Sequence, residues 1–303
     1  MRFELAITGA SGYVGSQLVE ILSLLGCKVF PVYRNSVPSC AENGLTLNDL
    51  ISGKISDSID AVIHAAALAR SNSYERLKAA NEDLTQSIIE ACKSRGVPLI
   101  FLSTVMASKG LGLYGKSKKR CEELIIKSEL PSLILRLGPV FGDVRPNANS
   151  TISKLIYMIE HRSVVFVPFG AGPVISPTWV KDIAFYIVRW LNLNPTGSII
   201  VNTTNEIVEY NILIKIIEDT MGVHRFKIPV PLKTLSNLAK IIAALPCGDR
   251  LPIDGLRFCY EMSSNERLNE PALKWESTPF NIAIKSVIER YKERKRMVPE
   301  NRI

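Results

Sequence analysis

A chain that opens "MRFELAITGASGYVGSQLVEIL" has few ways to fold. An apolar run over Phe3–Thr8 meets Gly9, Gly12 and Gly15 in a G-x-x-G-x-x-G spacing, and a helical pattern starts at once. Strand, glycine turn and helix in direct succession are the first half of a βαβ unit. Each glycine has its own task there. Gly9 makes the tight turn out of the strand, Gly12 lets backbone approach a pyrophosphate, and Gly15 lets the helix lie close on the sheet. Ser11, Tyr13 and Val14 complete the cradle. An anion would rest on the helix N-terminus, where free N–H groups and the helix dipole favour negative charge. Val14, Leu18, Ile21, Leu22 and Leu25 give that helix its apolar stripe.

The same alternation continues. Apolar runs over Lys28–Tyr33, Ala61–His64, Leu99–Ser103 and Ser132–Leu137 read as strands buried on both faces of a parallel sheet. Helical patterns lie between them, at Tyr13–Leu25, Tyr74–Ser94 and Tyr114–Lys127. After Gly138 the stretches "GPVFGDVRPNANS" and "VPFGAGPVISPTW" read as loops. Helical patterns recur at Lys181–Leu193, Tyr210–Met221, Leu232–Ala244 and Phe280–Lys295. The expected fold is α/β: a doubly wound parallel sheet of the Rossmann type with a smaller C-terminal lobe. The division is placed at residues 1–165 for the nucleotide-binding domain and 166–303 for a mixed α/β substrate lobe, with some later segments returning to the core. The cleft of such a fold is the default binding site.

Composition narrows the classes further. The six cysteines form no C-x-x-C pair, and His64, His161 and His224 lie far apart. That argues against a metal cluster or a disulfide framework, and for a reducing cytoplasm. The N-terminus reads as a strand rather than a signal peptide, and no apolar run reaches the ~18 residues of a membrane span. The net charge is +8, and about half of it sits between Phe280 and Ile303, with seven Lys/Arg against three Glu. "RYKERKR" (Arg290–Arg296) reads as a solvated helix end whose cations favour its C-terminus. The alternative, contact with an anionic lipid surface or nucleic acid, is disfavoured, and the expected partner is a small molecule.

One stretch, "GLGLYGKSKKRCEEL", joins Tyr114 to Lys118 on a single helix face, which Cys121 and Ile125 continue. Lys116, Lys119 and Arg120 point elsewhere and form the wet face. A Tyr and a Lys heading an apolar stripe are aimed at protein. They follow "FLSTVMAS", a strand end bearing the hydroxyls of Ser103 and Thr104. A nearby ammonium favours the phenolate and lowers a tyrosine pKa from ~10. A Tyr so tuned can exchange a proton with a substrate hydroxyl or carbonyl near neutral pH.

In this order the segments resemble the short-chain dehydrogenase/reductase superfamily, and its extended NAD(P)-dependent epimerase/dehydratase branch in particular, over roughly residues 3 to 225. The resemblance implies several roles. "DAVIHAAA" is similar to the family's fourth strand, with Ala65 and Ala66 at its cofactor-touching end. Asn81 resembles the Asn that opens an N-x-x-x-T helix, and Thr85 follows it. "ILRLGPVFG" is similar to the strand beside the nicotinamide, which gives Leu137 a cofactor contact. "SPTWVKDIA" resembles the late V-x-D segment. The family's Ser/Thr–Tyr–Lys triad maps onto Thr104, Tyr114 and Lys118, with Ser103 as the alternative hydroxyl and a further cofactor contact. Thr104 and Tyr114 are only ten residues apart, a shorter loop than many extended members have. A homodimer is compatible with the resemblance.

The second strand ends in Arg34, nineteen residues after Gly15, where NAD-selecting folds usually place an acid. A guanidinium there suits a 2′-phosphate, so the expected cofactor is NADP, with NAD as the alternative. Dehydratase relatives usually carry Asp-Glu after the triad Thr. Here Val105 and Met106 stand in those places and cannot move protons. Epimerase relatives usually carry a phosphate-gripping Arg ahead of the V-x-D segment, a place filled here by Ile175. The expected activity is therefore reduction of a nucleotide-activated 4-keto sugar. The alternatives are an NAD-dependent 4-epimerase and a non-catalytic accessory or assembly protein, to which "LPCGDRLPIDGLRFCYE" (Leu245–Glu261) is faintly similar.

Overall fold

The computed structural model describes residues 3–39, 41–54, 58–145, 150–169, 174–203, 206–231 and 275–297. The chain divides into two compact units. The first holds Met1–Leu137, Val180–Thr203 and Arg267–Trp275, and the second Gly138–Trp179, Thr204–Glu266 and Glu276–Ile303. The sequence division at residue 165 differs from this one. The chain leaves the first unit at Leu137, where β6 ends, because Val140–Phe141 pairs with Thr178–Trp179 and not with the large sheet.

Strands and helices are numbered along the chain. The first unit is built on β1 (Glu4–Thr8), β2 (Lys28–Tyr33), β3 (Leu45–Thr46), β4 (Ala61–His64), β5 (Leu99–Thr104), β6 (Ser132–Leu137) and β11 (Ser198–Asn202). They form one parallel sheet in the order β3-β2-β1-β4-β5-β6-β11. The order reverses between β1 and β4, the switch point outside which open α/β sheets take their ligands. β4 and β6 are buried at every residue, as expected of strands covered on both faces.

Helices α1 (Tyr13–Leu24), α2 (Leu47–Ser52), α3 (Tyr74–Leu77), α4 (Leu84–Arg95), α5 (Gly112–Lys127) and α7 (Val180–Leu191) belong to this unit. Ile88, Ile89 and Cys92 of α4 and Cys121 and Ile125 of α5 share a core with Phe101, Val62, Ala6 and Ile134 of the sheet. α2 was not expected from the sequence. It is held by a capping box in which Thr46 and Asp49 each bond the other's backbone N–H.

The single helix expected over Tyr74–Ser94 is three pieces. Residues Lys78–Asp83 between α3 and α4 wind as a π-helix. The wider turn brings the consecutive polar residues Asn81 and Glu82 into the interior.

In the second unit β7 (Val140–Phe141) pairs with β10 (Thr178–Trp179), β8 (Val164–Phe169) with β13 (Phe226–Pro231), and β9 (Val174–Ile175) with β12 (Val208–Glu209). The Gly- and Pro-rich stretches read as loops therefore contain short strands. Helices α6 (Thr151–His161), α8 (Tyr210–Met221) and α9 (Phe280–Met297) close a core of Phe141, Ile156, Ile159, Ile214, Ile217 and Ile284. The helix expected over Leu232–Ala244 lies outside the described residues.

The basic run on α9 is bound to its own unit. Arg294 and Arg290 reach Asp143 at 2.8 and 3.9 Å, Lys295 reaches Glu160 at 3.1 Å, and Lys292 Nζ donates to the Thr220 carbonyl at 2.7 Å. The helix end is exposed as expected, with Arg290 and Arg294 nearly half exposed, and four of its cations also reach partners in their own unit. Among the described residues no helix is long and apolar enough to cross a membrane.

Candidate active site

The C-terminal edge of the parallel sheet gathers most of the residues singled out in the sequence. β1 delivers Thr8 and Gly9, β4 delivers His64 and then Ala65 and Ala66, β5 ends on Ser103 and Thr104, and β6 ends on Leu137. Register places Thr8 beside His64 and Thr104 beside Leu137.

The glycine turn is built around one close approach. Gly9 has φ +71°, and a Cβ there would lie 2.7 Å from the Ala66 nitrogen. Only glycine lets the β1 turn run so near the β4 turn. A Cβ on Gly15 would lie 2.1 Å from the Gly9 carbonyl oxygen, so α1 is packed onto the turn itself. Gly12 N–H donates to Gly9 O at 2.9 Å and starts α1. A Cβ at Gly12 would meet only the Gly9 carbonyl oxygen, at 3.1 Å, and the helix start carries no side-chain cap. The turn with Ser11, Tyr13 and Val14 thus presents an open helix N-terminus of the shape and polarity that a dinucleotide pyrophosphate needs.

Beneath this turn lies a polar network that sequence reasoning missed. Thr8 Oγ1 and His64 Nδ1 are 2.7 Å apart, His64 Nε2 and Thr85 Oγ1 are 3.2 Å apart, and Ala66 N–H donates to Thr8 Oγ1 at 3.3 Å. It ties together the two strands that flank the switch point. Burial, aided by the Lys118 charge, pushes the His64 pKa down to about 3, so the ring is neutral. Asn81 serves a neighbouring wall. Its Oδ1 accepts from Leu68 N–H at 2.7 Å, and its Nδ2 donates to Leu68 O and to Ser117 Oγ. Its amide therefore holds the loop after β4 against α5.

Tyr114 and Lys118 stand four residues apart on α5, close to the end of β5. The link is Gly115, where a Cβ would lie 2.8 Å from the Met106 carbonyl oxygen in the turn after Thr104. A glycine inside the helix, next to the Tyr, was the available signal. Thr104 is half-buried, and its hydroxyl caps that turn through a long bond from Met106 N–H at 3.4 Å. Ser103 points the other way, and its hydroxyl donates to buried Glu122. Of the two residues, Thr104 is the more exposed, half-buried where Ser103 is buried.

Lys118 is 1 % exposed, with its ammonium 3.9 Å from the centre of the Phe101 ring. Burial pushes its pKa down to about 8, while Cys121 and Glu122 act in the opposite sense. Tyr114 departs from the expectation of a lowered pKa. Desolvation raises it above the ordinary value, and Cys121 adds to the rise. The phenol keeps its proton at neutral pH. Arg34 is exposed one residue beyond β2, the edge position expected for it.

Comparison with known proteins matches these features. The profile of the RmlD substrate binding domain covers residues 3–195, more than half of the chain. A UDP-2-acetamido-2,6-beta-L-arabino-hexul-4-ose reductase from Pseudomonas aeruginosa is 34 % identical over 164 residues, 52 % of this chain and 41 % of that protein. A ceramide reductase from Caulobacter vibrioides is 25 % identical over 199 residues, 62 % of this chain and 61 % of that protein. The chain thus spans between two fifths and three fifths of the length of these relatives. Among solved structures, the Bordetella bronchiseptica enzyme WbmH in complex with NAD+ superposes with a TM-score of 0.67 over 97 % of this chain and 99 % of that one, at 17 % identity. The dTDP-4-dehydrorhamnose reductase of Bacillus anthracis in complex with NADP gives 0.63 over 76 % and 85 %, at 18 % identity. These structures share the fold. The chain belongs to the RmlD substrate binding domain family, within the extended short-chain dehydrogenase/reductase superfamily.

Proposed function

We propose that the protein is an NADP(H)-dependent reductase acting on the 4-keto group of a nucleotide-activated sugar. The observations behind this reading are that α5, which carries Tyr114 and Lys118, starts against the turn that follows Thr104, and that β1 of the same sheet opens into the Gly9–Gly15 cradle. The second unit is assigned the sugar nucleotide. Both curated relatives are reductases by name, one of them of a UDP-linked hexulose.

A reduced nicotinamide, when bound, supplies the hydride for the carbonyl carbon. The chain handles the proton. Thr104 Oγ1 donates a hydrogen bond to the substrate carbonyl oxygen and fixes its place. Tyr114 Oη gives its proton to that oxygen as the alcohol forms. The phenol is protonated at neutral pH, as a donor must be, and its raised pKa makes it a weaker acid than an ordinary tyrosine. Lys118, buried one helical turn further along α5, is assigned the role of stabilising the phenolate left behind. Val105 and Met106 add no acid or base, which sets the site apart from elimination chemistry. Arg34 at the end of β2 favours a cofactor carrying a 2′-phosphate. In place of a phosphate-gripping Arg, Ile175 is buried in β9, paired with Val208 of β12, and this favours the reductase over the epimerase.

The test is NADPH consumption with 4-keto sugar nucleotides. Tyr114→Phe should lose about 10²–10⁴ of turnover, the span of a general acid, while nucleotide affinity stays parental. Parental turnover in that variant would overturn the assignment.

A further inference from the structure

The Tyr114/Lys118 helix is tied to the sheet at one buried polar point. Glu122 follows Lys118 by four residues, so the two share a helix face. Its Oε1 accepts from Ser103 Oγ at 2.5 Å and from Arg136 Nε at 3.1 Å. Its Oε2 accepts from Arg136 Nε at 3.1 Å and Nη2 at 2.6 Å. All three side chains are buried. Ser103 and Arg136 are register partners across β5 and β6, so one carboxylate straddles two adjacent strands. Arg136 is fixed in turn by Thr203, whose N–H and hydroxyl donate to its carbonyl at 3.1 and 3.2 Å. The next register pair is Thr104 and Leu137. The anchor therefore lies one residue below the layer assigned to the chemistry.

A buried ion pair is a poor way to gain stability, since apolar side chains of similar volume often do as well or better. A forked, charge-assisted pair does fix angle and distance, and it places a charge. The groups facing Lys118 are His64 from β4, the Phe101 ring from β5, and Cys121 and Glu122 from α5. His64 is neutral, and the Cys121 thiol is pushed up by burial. Glu82, on the π-helical segment packed against α5, accepts from Tyr74 instead. Glu122 acts on Lys118 in the same sense as Cys121, but its own ion-pair partner is the Arg136 guanidinium.

We propose that Glu122 is a positioning residue: gripped by Ser103 and Arg136, it sets the rotation and height of α5, hence the places of Tyr114 and Lys118. This rests on Tyr114 and Lys118 being the reacting pair. Glu122→Met paired with Arg136→Met keeps the volume and removes both charges, which avoids stranding a buried guanidinium. The double variant should fold and bind NADPH as the parent does. Its kcat should fall about tenfold or more at nearly unchanged KM, as misplacement of reacting groups does.

Ser103→Ala decides the matter should the double variant not fold. Loss of one hydrogen bond of about 0.5–1.5 kcal/mol corresponds to roughly a two- to tenfold drop in kcat. Parental kcat in either folded variant overturns the proposal. So does a loss beyond about a hundredfold in Ser103→Ala, which would make Ser103 the substrate-facing hydroxyl. Tyr114→Phe in the same assay separates the two levels. If it is active, the reading of the site fails. If it is inactive while the Glu122 and Ser103 variants are parental, only the anchor fails.

Discussion

Replacing Lys118 by Met should make the protein more stable and catalytically dead. Lys118 is 1 % exposed, and burial has brought its pKa from 10.5 to about 8. At ~1.36 kcal/mol per pKa unit, holding the charge costs the fold roughly 3 kcal/mol. The Phe101 ring, 3.9 Å from the ammonium, returns part of this, about 0.5–2 kcal/mol for a desolvated cation over an aromatic face. Methionine matches the length of the stem and removes the charge. The variant should therefore gain on the order of 1–3 kcal/mol at pH 7. The pH dependence has a fixed sign. Below pH 8 the lysine is protonated in both states, and the folded protein bears the whole cost. From about 8 to 10.5 the unfolded chain binds more protons than the folded one, so parental stability rises with pH. The advantage of Lys118→Met should be constant below pH 8, shrink through that window and vanish above it. Urea unfolding at pH 7, 8.5 and 10 without nucleotide measures this. A variant no more stable than the parent at pH 7, or a gap that ignores pH, would refute the reasoning.

Three further outcomes follow from single contacts. Gly15→Ala drives a methyl to 2.1 Å from the Gly9 carbonyl oxygen, a backbone atom that cannot swing aside; it should cost about 1–3 kcal/mol in urea unfolding, as overpacking does, and weaken nucleotide binding. Arg34→Ala should weaken NADPH about ten- to a hundredfold, the worth of one charge-assisted bond, and leave NADH nearly unchanged in fluorescence titration; equal losses for both nucleotides would remove Arg34 as the selector. Asp143→Asn should flatten the acid limb of stability. Burial alone would raise this carboxyl, but bonds from Arg294 and Arg145 outweigh it and hold the pKa below its ordinary value. Its contribution is present above that ordinary value and lost as pH falls through the folded pKa, so thermal melts of parent and variant should converge in acid.

The parts of the fold visible in the sequence are those fixed by local pattern. β2, β4 and β6 fall on the residues expected, and α1 and α8 do so to within a residue, because buried strands and amphipathic helices carry their periodicity in their own residues. Elements set by partners were not visible. The two-residue strands β7, β9, β10 and β12 exist only through pairing across distant sequence. The π-helical turn at Lys78–Asp83 leaves the apolar spacing of a helix almost intact while moving Asn81 and Glu82 inward. The basic run on α9 is exposed as expected, but its contacts were not visible because Asp143 and Glu160 lie more than a hundred residues away in sequence.

The same distinction holds at the site. Glycine spacing and Tyr114–x–x–x–Lys118 are short-range signals, and the structure brings both to one sheet edge. What sets their properties is long-range. Glu122 touches Ser103 and Arg136, and His64 touches Thr8 and Thr85, and neither set has a sequence spacing of its own. The expectation that Lys118 would lower the Tyr114 pKa came from considering that pair in isolation. In the fold, desolvation acts on both members, raising the phenol and lowering the ammonium, so each is driven toward its neutral form. A site in that state holds a proton on Tyr114. What the fold places beneath the pair is the buried Glu122–Arg136 fork, which ties α5 to β5 and β6.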